Sequence, residues 1–129
     1  MASNHPLVIH PRIVPQMFAD FPYVAYHTNP EQGRKYDLVF RRHHVLPSNV
    51  IISGVTEAVL TIVGQSQGIT ILPAWTALSS GAKYGLVTRP IGDGQLSTQW
   101  YLAGLHQVAN REAILDVMKI IKNITHFND

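Results

Sequence analysis

The chain has 129 residues, a formal net charge of +2, and 14% charged against 46% hydrophobic residues, where an ordinary soluble domain carries about 25% charged. That much apolar material excludes a disordered chain, and 9 glycines and 8 prolines scattered without period exclude a collagenous or low-complexity one. The absence of cysteine excludes disulfide frameworks, thiolate metal sites and a cysteine nucleophile, and so small a net charge is no field for gripping nucleic acid.

Residues 1–10 lack the basic, apolar and small-residue succession of a signal peptide, and no apolar run approaches the ~18 residues of a membrane span. The expectation is a cytoplasmic chain that does not engage a membrane. Prolines at 6, 11, 15 and 22 confine the start to extended segments and a short helical turn near Val14 to Ala19. Tyr23 to Tyr26 then reads as a strand. Glu31 to His43 carries a helical pattern, with Tyr36, Val39 and Phe40 on one face. Asn49 to Ile52 is a β-branched strand broken by Gly54, and Val55 to Gln65 is a helix with Val55, Ala58, Val59, Ile62 and Val63 at helical spacing. Ile69 to Leu72 reads as a buried strand stopped by Pro73, and Trp75 to Leu78 as a short helix. Leu86 to Thr88 and Gln99 to Leu102 read as strands around the turn residues Gly92, Asp93 and Gly94. Asn110 can cap a final helix in which Ile114, Val117, Ile121 and Ile124 form an apolar stripe, widened by Ala113, Ile120 and Phe127. Strands alternating with helices predict an α/β fold, a mixed, mostly parallel sheet with helices on both faces.

Gly64 to Gly68 spells GxSxG, but a nucleophile elbow needs a strand before the serine and a helix after it. Here a helix precedes Ser66 and a strand follows, so Gly68 is expected to be a helix C-cap and no catalytic residue is assigned. A small serine hydrolase, with Asp93 or Asp116 and His106 or His126 completing a triad, remains the rival from another class. The seven histidines include no HxxxH or HExxH pair, so no metal is expected. Gly92 and Gly94 lack the third glycine of a dinucleotide fingerprint, where Ser97 stands, and no cofactor is expected. Arg41, Arg42, His43 and His44 read as the solvated end of a helix, with phosphate contact as the sharper alternative.

What remains is three polar corners just beyond the carboxyl ends of predicted strands: His27 to Asn29, Ser53 to Thr56, and Pro73 to Trp75. In an open α/β sheet, small ligands bind at such corners, where helix N-termini converge. An anionic or zwitterionic molecule suits them. The plainer reading is that Ser53 or Thr56 caps its own helix and Trp75 fills core.

The run GVTEAVLTIVGQSQGITILP, from Gly54 to Pro73, resembles the stretch of LysR-type transcriptional regulators in which a helix near a threonine leads through a glycine into a strand ending in Leu-Pro. His5, Pro6 and Leu7 resemble the HPL after the first half of their effector domain. LPAW (Leu72 to Trp75) and GLVTRPIGDG (Gly85 to Gly94) are most similar to the branch that activates methionine biosynthesis. The resemblance implies a type 2 periplasmic-binding-protein fold, of which residues 1–104 would form the second effector-binding subdomain, Rossmann-like and three-layered, and residues 105–129 a connection and helix that in the family packs on the first subdomain. It implies a small-molecule effector, amino-acid-like, with homocysteine the one the methionine branch suggests. DNA would be reached only through a winged helix-turn-helix outside this sequence, and a homodimer or helix-exchanged oligomer is expected. Carried over residue by residue, the effector contacts fall on His27, Thr28, Gly54, Val55, Thr56, Pro73 and Trp75, with Trp75 an apolar wall. A stand-alone solute-binding module is the third possibility.

Overall fold

Pro22 can open a strand because its missing N–H removes only one ladder bond at an end, and three apolar residues follow it. In a computed structural model of the chain, which describes residues 1–26, 35–94, 96, 105, 107 and 111–124, β1 (Pro22–Ala25) pairs in parallel with β2 (Asn49–Ile52), Tyr23 opposite Val50 and Ala25 opposite Ile52. The described fold is α/β, built on this parallel pair.

Successive strand side chains point to opposite faces, and β1 is buried on both. Tyr23 and Ala25 join Leu7, Phe18, Val39 and Phe40 in one cluster. Val24, fully buried, points the other way against Val59 and Val63 of α1 (Thr56–Gly64). Phe40 sits edge-on to two rings, 5.2 Å from Phe18 and 4.9 Å from Tyr23, an arrangement that aromatic quadrupoles favour. Burial, and more weakly the neighbouring Tyr26, pushes the Tyr23 phenol up to about 12.

Around this core the chain winds tightly. The expected turn near Val14 to Ala19 is a 3₁₀ turn, Pro15–Phe18, and another, Pro6–Ile9, is capped by His5, whose Nδ1 accepts the Leu7 N–H at 3.2 Å. The His5 ring is buried against Phe21 at 4.5 Å. That burial, and secondarily the positive chain terminus, holds its imidazole below the ordinary value. The helix expected over Glu31 to His43 is, from Tyr36 onward, a π-turn (Tyr36–Phe40) followed by a 3₁₀ turn (Arg41–His43) that ends with His44 in the left-handed region. The wider winding fits the packing: Val39 and Phe40 are both buried, side by side.

Two expected strands shrink to single bridges. Ile69 alone pairs with Tyr23, donating to the Pro22 carbonyl at 2.9 Å and accepting from Val24 at 2.8 Å. Beyond it, Thr70 turns its hydroxyl to the Val24 carbonyl at 2.8 Å. Leu86 pairs with Ala2 in a sequence-distant contact that local pattern cannot reveal. Gln99 to Leu102 lie outside the described residues. The helix near Trp75 is α2 (Ala74–Ser80).

The chain divides into two compact units, Met1–Ser97 and Thr98–Asp129. In the second, α3 (Glu112–Ile124) carries the expected apolar stripe, with Val117, Ile120 and Ile121 exposed. The expected cap Asn110 and the widening residue Phe127 lie outside the described residues. Among the described residues, no helix is long and apolar enough to cross a membrane.

Candidate functional site

β2 ends at Ile52, and the chain must reverse to lay α1 against β1. It does so in three residues. Ser53 donates to the Ala25 carbonyl at 3.0 Å and Gly54 to the Tyr26 carbonyl at 3.2 Å, holding the turn to the end of β1. Val55 N–H then closes on the Ser53 carbonyl at 2.7 Å around Gly54, whose φ is +68°. An i to i+2 bond around a positive φ is a γ-turn, strained for a residue with a Cβ and tolerable for glycine.

Val55 is the N-cap of α1, and no side chain caps the helix. The plainer reading of Ser53 or Thr56 as its cap therefore does not describe this turn. Thr56 opens the helix, half-buried, and its Oγ1 accepts from the Tyr26 hydroxyl at 2.8 Å. The first-turn amides of Thr56, Glu57 and Ala58 precede any helical acceptor and carry the positive end of the helix dipole. Such an end favours an anionic or carbonyl oxygen.

The third corner is Pro73, N-cap of α2, followed by Ala74 and the exposed Trp75 in the first turn. Lys35, which sequence reasoning did not single out, ties this side to the first: its Nζ donates to the Ile71 carbonyl at 2.9 Å and lies 5.1 Å from the centroid of the Tyr26 ring. Tyr26 was equally unremarked. The only available signal was its position as the last residue of the predicted strand, one step before His27. His27 and Thr28 lie outside the described residues. Tyr26 and Lys35 thus bring together the end of β1, the start of α1 and the approach to Pro73.

An apolar cavity of about 440 Å³ is lined by Pro73 itself together with Leu7, Phe18, Ile71, Leu86 and Ile91, among others. It takes in neither Gly54 to Thr56 nor Trp75. Arg89, on its wall, is turned to the carbonyls of Val8 (3.0 Å), His10 (3.0 Å) and Thr88 (2.9 Å).

The other sequence motifs resolve as turns and surface. Ser66 follows α1, as the reversed context predicted, with φ +60° and its hydroxyl donating to Asn4 Oδ1 at 2.6 Å. Gly68 is not the cap of α1: that position is Gln65, at φ −84° and ψ 15°. Gly68 instead lets the chain pass the Pro22 carbonyl, which a Cβ would meet at 2.5 Å. Arg41, Arg42, His43 and His44 are exposed, Arg41 paired with Asp37 at 3.4 Å. Among the described residues no three histidines, aspartates or glutamates gather as a metal site would require.

The profile of the LysR substrate binding domain matches residues 1–124. The chain belongs to the LysR substrate-binding domain family. Solved structures agree with that assignment. The regulatory domain of MetR, a LysR family regulator from N. meningitidis, superposes with a TM-score of 0.72 at 20% identity over 95% of this chain and 56% of that one. A double cysteine-to-serine mutant of the same domain gives 0.71, with the same identity and coverage. The LysR-type chain thus shares their fold and spans a little over half their length. Among curated proteins, no sequence matches significantly.

Proposed function

We propose that this LysR substrate-binding domain is the effector-sensing part of a transcription regulator, taking an amino-acid-like small molecule at Gly54, Val55 and Thr56, with His27, Thr28, Pro73 and Trp75 as its further contacts. The observation that carries the reading is the uncapped start of α1, held to the end of β1 by the Gly54 γ-turn. Donors converge there with nothing of the helix's own to satisfy them, as a carboxylate ligand requires.

In this reading residues 1–104 act as one effector-binding subdomain and residues 105–129 as the connection and helix that joins it to the other. No step of chemistry is involved: binding shifts the arrangement of subdomains, and DNA is contacted only by a separate winged helix-turn-helix. A homodimer or helix-exchanged oligomer and a cytoplasmic location belong to the same proposal. Homocysteine is the first effector to try.

Thr56→Ala tests the site. Calorimetry in a regulator containing this domain should show effector affinity reduced about tenfold, the scale of one hydrogen bond to a charged group, with cooperative unfolding retained. Unchanged affinity removes Thr56 from the site.

A further inference from the structure

The strand expected over Ile69 to Leu72 stops at a single bridge, and the carbonyls that would form the next rung are held by side chains. In a parallel ladder a residue bonds both its N–H and its C=O to one neighbouring strand, and the next residue turns to the other side. Pro22 and Val24 of β1 face Ile69: the Pro22 carbonyl accepts the Ile69 N–H at 2.9 Å, and Val24 N–H donates to the Ile69 carbonyl at 2.8 Å. Continued, the ladder would set Ile71 opposite Ala25, with Ile71 N–H on the Val24 carbonyl and Tyr26 N–H on the Ile71 carbonyl. The pairing ends at Ile69 instead. The Val24 carbonyl accepts the Thr70 hydroxyl at 2.8 Å, and the Ile71 carbonyl accepts from Lys35 Nζ at 2.9 Å.

Each side chain has a physical reason to be there. Val24 is fully buried, and a buried carbonyl without a donor is costly; with the rung open, Thr70 supplies the donor. At Ile71 the donor is an ammonium, whose charge makes a stronger bond than a neutral amide does. Its place 5.1 Å from the centroid of the Tyr26 ring adds a second attraction. The side-chain order, meanwhile, suits the rung. Opposed residues of a parallel pair share a face, and Ile71 already packs on the cluster that holds Tyr23, Ala25 and Ile69, so closure exchanges hydrogen-bond partners without turning the strand over. We infer that Lys35 and Thr70 form a latch that keeps the strand leading to Pro73 one rung short of the sheet, and that releasing it closes the rung between Ala25 and Ile71. A carbonyl can accept twice; the latch acts by fixing the segment where these two side-chain bonds are made and the rung is not. Lys35 is thus a positioning residue: the partner that the Ile71 carbonyl takes decides where Pro73 and Trp75 stand relative to β1. A sensing domain needs an element with two discrete arrangements, and this strand provides one beside the proposed effector site without resting on it.

The test needs no ligand, so its outcome is independent of the effector reading. In the full chain, NMR follows amide hydrogen exchange at Ile71 and the scalar coupling carried across a hydrogen bond from the Ile71 nitrogen to the Val24 carbonyl carbon. Lys35→Met keeps the stem and removes the ammonium; Thr70→Val keeps the shape and removes the hydroxyl. In each, the Ile71 amide should exchange about tenfold more slowly than in wild type, the scale of one added hydrogen bond, and the coupling, absent from wild type, should appear. Lys83→Met, which removes an ammonium placed 5.3 Å from the Tyr84 ring, should leave both unchanged. A lysine that merely props the segment gives the opposite sign: Ile71 and Leu72 would exchange faster in Lys35→Met, and that result overturns the inference. So does an Ile71 amide that matches wild type in either folded variant, or a coupling already present in wild type. Thr70→Val carries the test alone if Lys35→Met does not fold.

Discussion

The two ends of α1 are built from similar letters and do opposite things. At its start, Ser53-Gly54-Val55 makes a γ-turn with nothing within 4 Å of where a Gly54 Cβ would stand, and no side chain caps the helix. At its end, Gln65-Ser66-Gln67-Gly68 returns the chain against the core: the amides of Gln65, Ser66 and Gln67 bond back to Thr61, Val63 and Ile62, Ser66 is stapled to Asn4, and Gly68 is pressed on Pro22. One end is open and donor-rich; the other is closed and satisfied. A helix terminus becomes a place for ligand when its backbone groups are left without local partners, and the motif that looked catalytic lies at the end where they have them.

Substitutions can break this contrast, beginning with the closed end. Gly68→Ala forces a methyl against the Pro22 carbonyl at a backbone angle of +151°. It should cost about 3 kcal/mol or more in denaturant unfolding, and near-wild-type stability would show that the approach is not as tight as described. Gly54→Ala meets open space and suffers only the left-handed backbone, about 1 kcal/mol, while effector affinity should fall more than stability does because the turn aims the first-turn amides.

Acid should act at the closed end too. Because the folded pKa of His5 lies below its ordinary 6.5, the unfolded chain binds more protons as pH falls through that value. His5's contribution is therefore intact above about pH 6.5 and is lost progressively below it. Thermal melts between about pH 8 and pH 5 should show Tm falling with acid, and His5→Asn, whose side-chain oxygen can still accept from the Leu7 N–H, should flatten the slope. An unchanged slope would exclude His5 as its source. The smallest effect is expected from Ser66→Ala, which removes one exposed hydrogen bond and should cost less than about 1 kcal/mol. A serine-directed phosphonate should leave Ser66 unlabelled; stoichiometric labelling that the substitution abolishes would reopen the hydrolase reading.

Much of this was legible in residue order. The apolar spacing of α1 announces its helix because one face must be buried, and burial imposes a period; the β-branched run at 49–52 and the stripe of α3 announce theirs through composition and spacing, although Val50, Ile52, Val117 and Ile120 are exposed. The corner at Gly54 was legible for a related reason, a glycine between a strand and a helix being a turn that few other residues can make. Less was legible at Ile69 to Leu72 and Leu86 to Thr88, where β-branched composition promised strands. Extended backbone becomes strand only if a partner lies alongside, and there the chain offers one residue each, Tyr23 and Ala2. The π and 3₁₀ winding from Tyr36 to His43 was equally hidden, since it follows from how Val39 and Phe40 fit beside Tyr23 and Phe18.

Gly68 shows the limit most plainly. Its place after a helix suggested a cap, a local role, but the reason for glycine there is a carbonyl 46 positions earlier in the chain. Sequence alone determined the class of fold, the family likeness and the general position of the polar corners, because apolar period and turn chemistry are properties of neighbouring residues. Only the tertiary structure decided that the Tyr26 hydroxyl meets Thr56, that Lys35 reaches the Ile71 carbonyl and that Ser66 faces Asn4. Those facts depend on which distant groups meet, and hydrogen bonds across the fold leave no trace in local pattern.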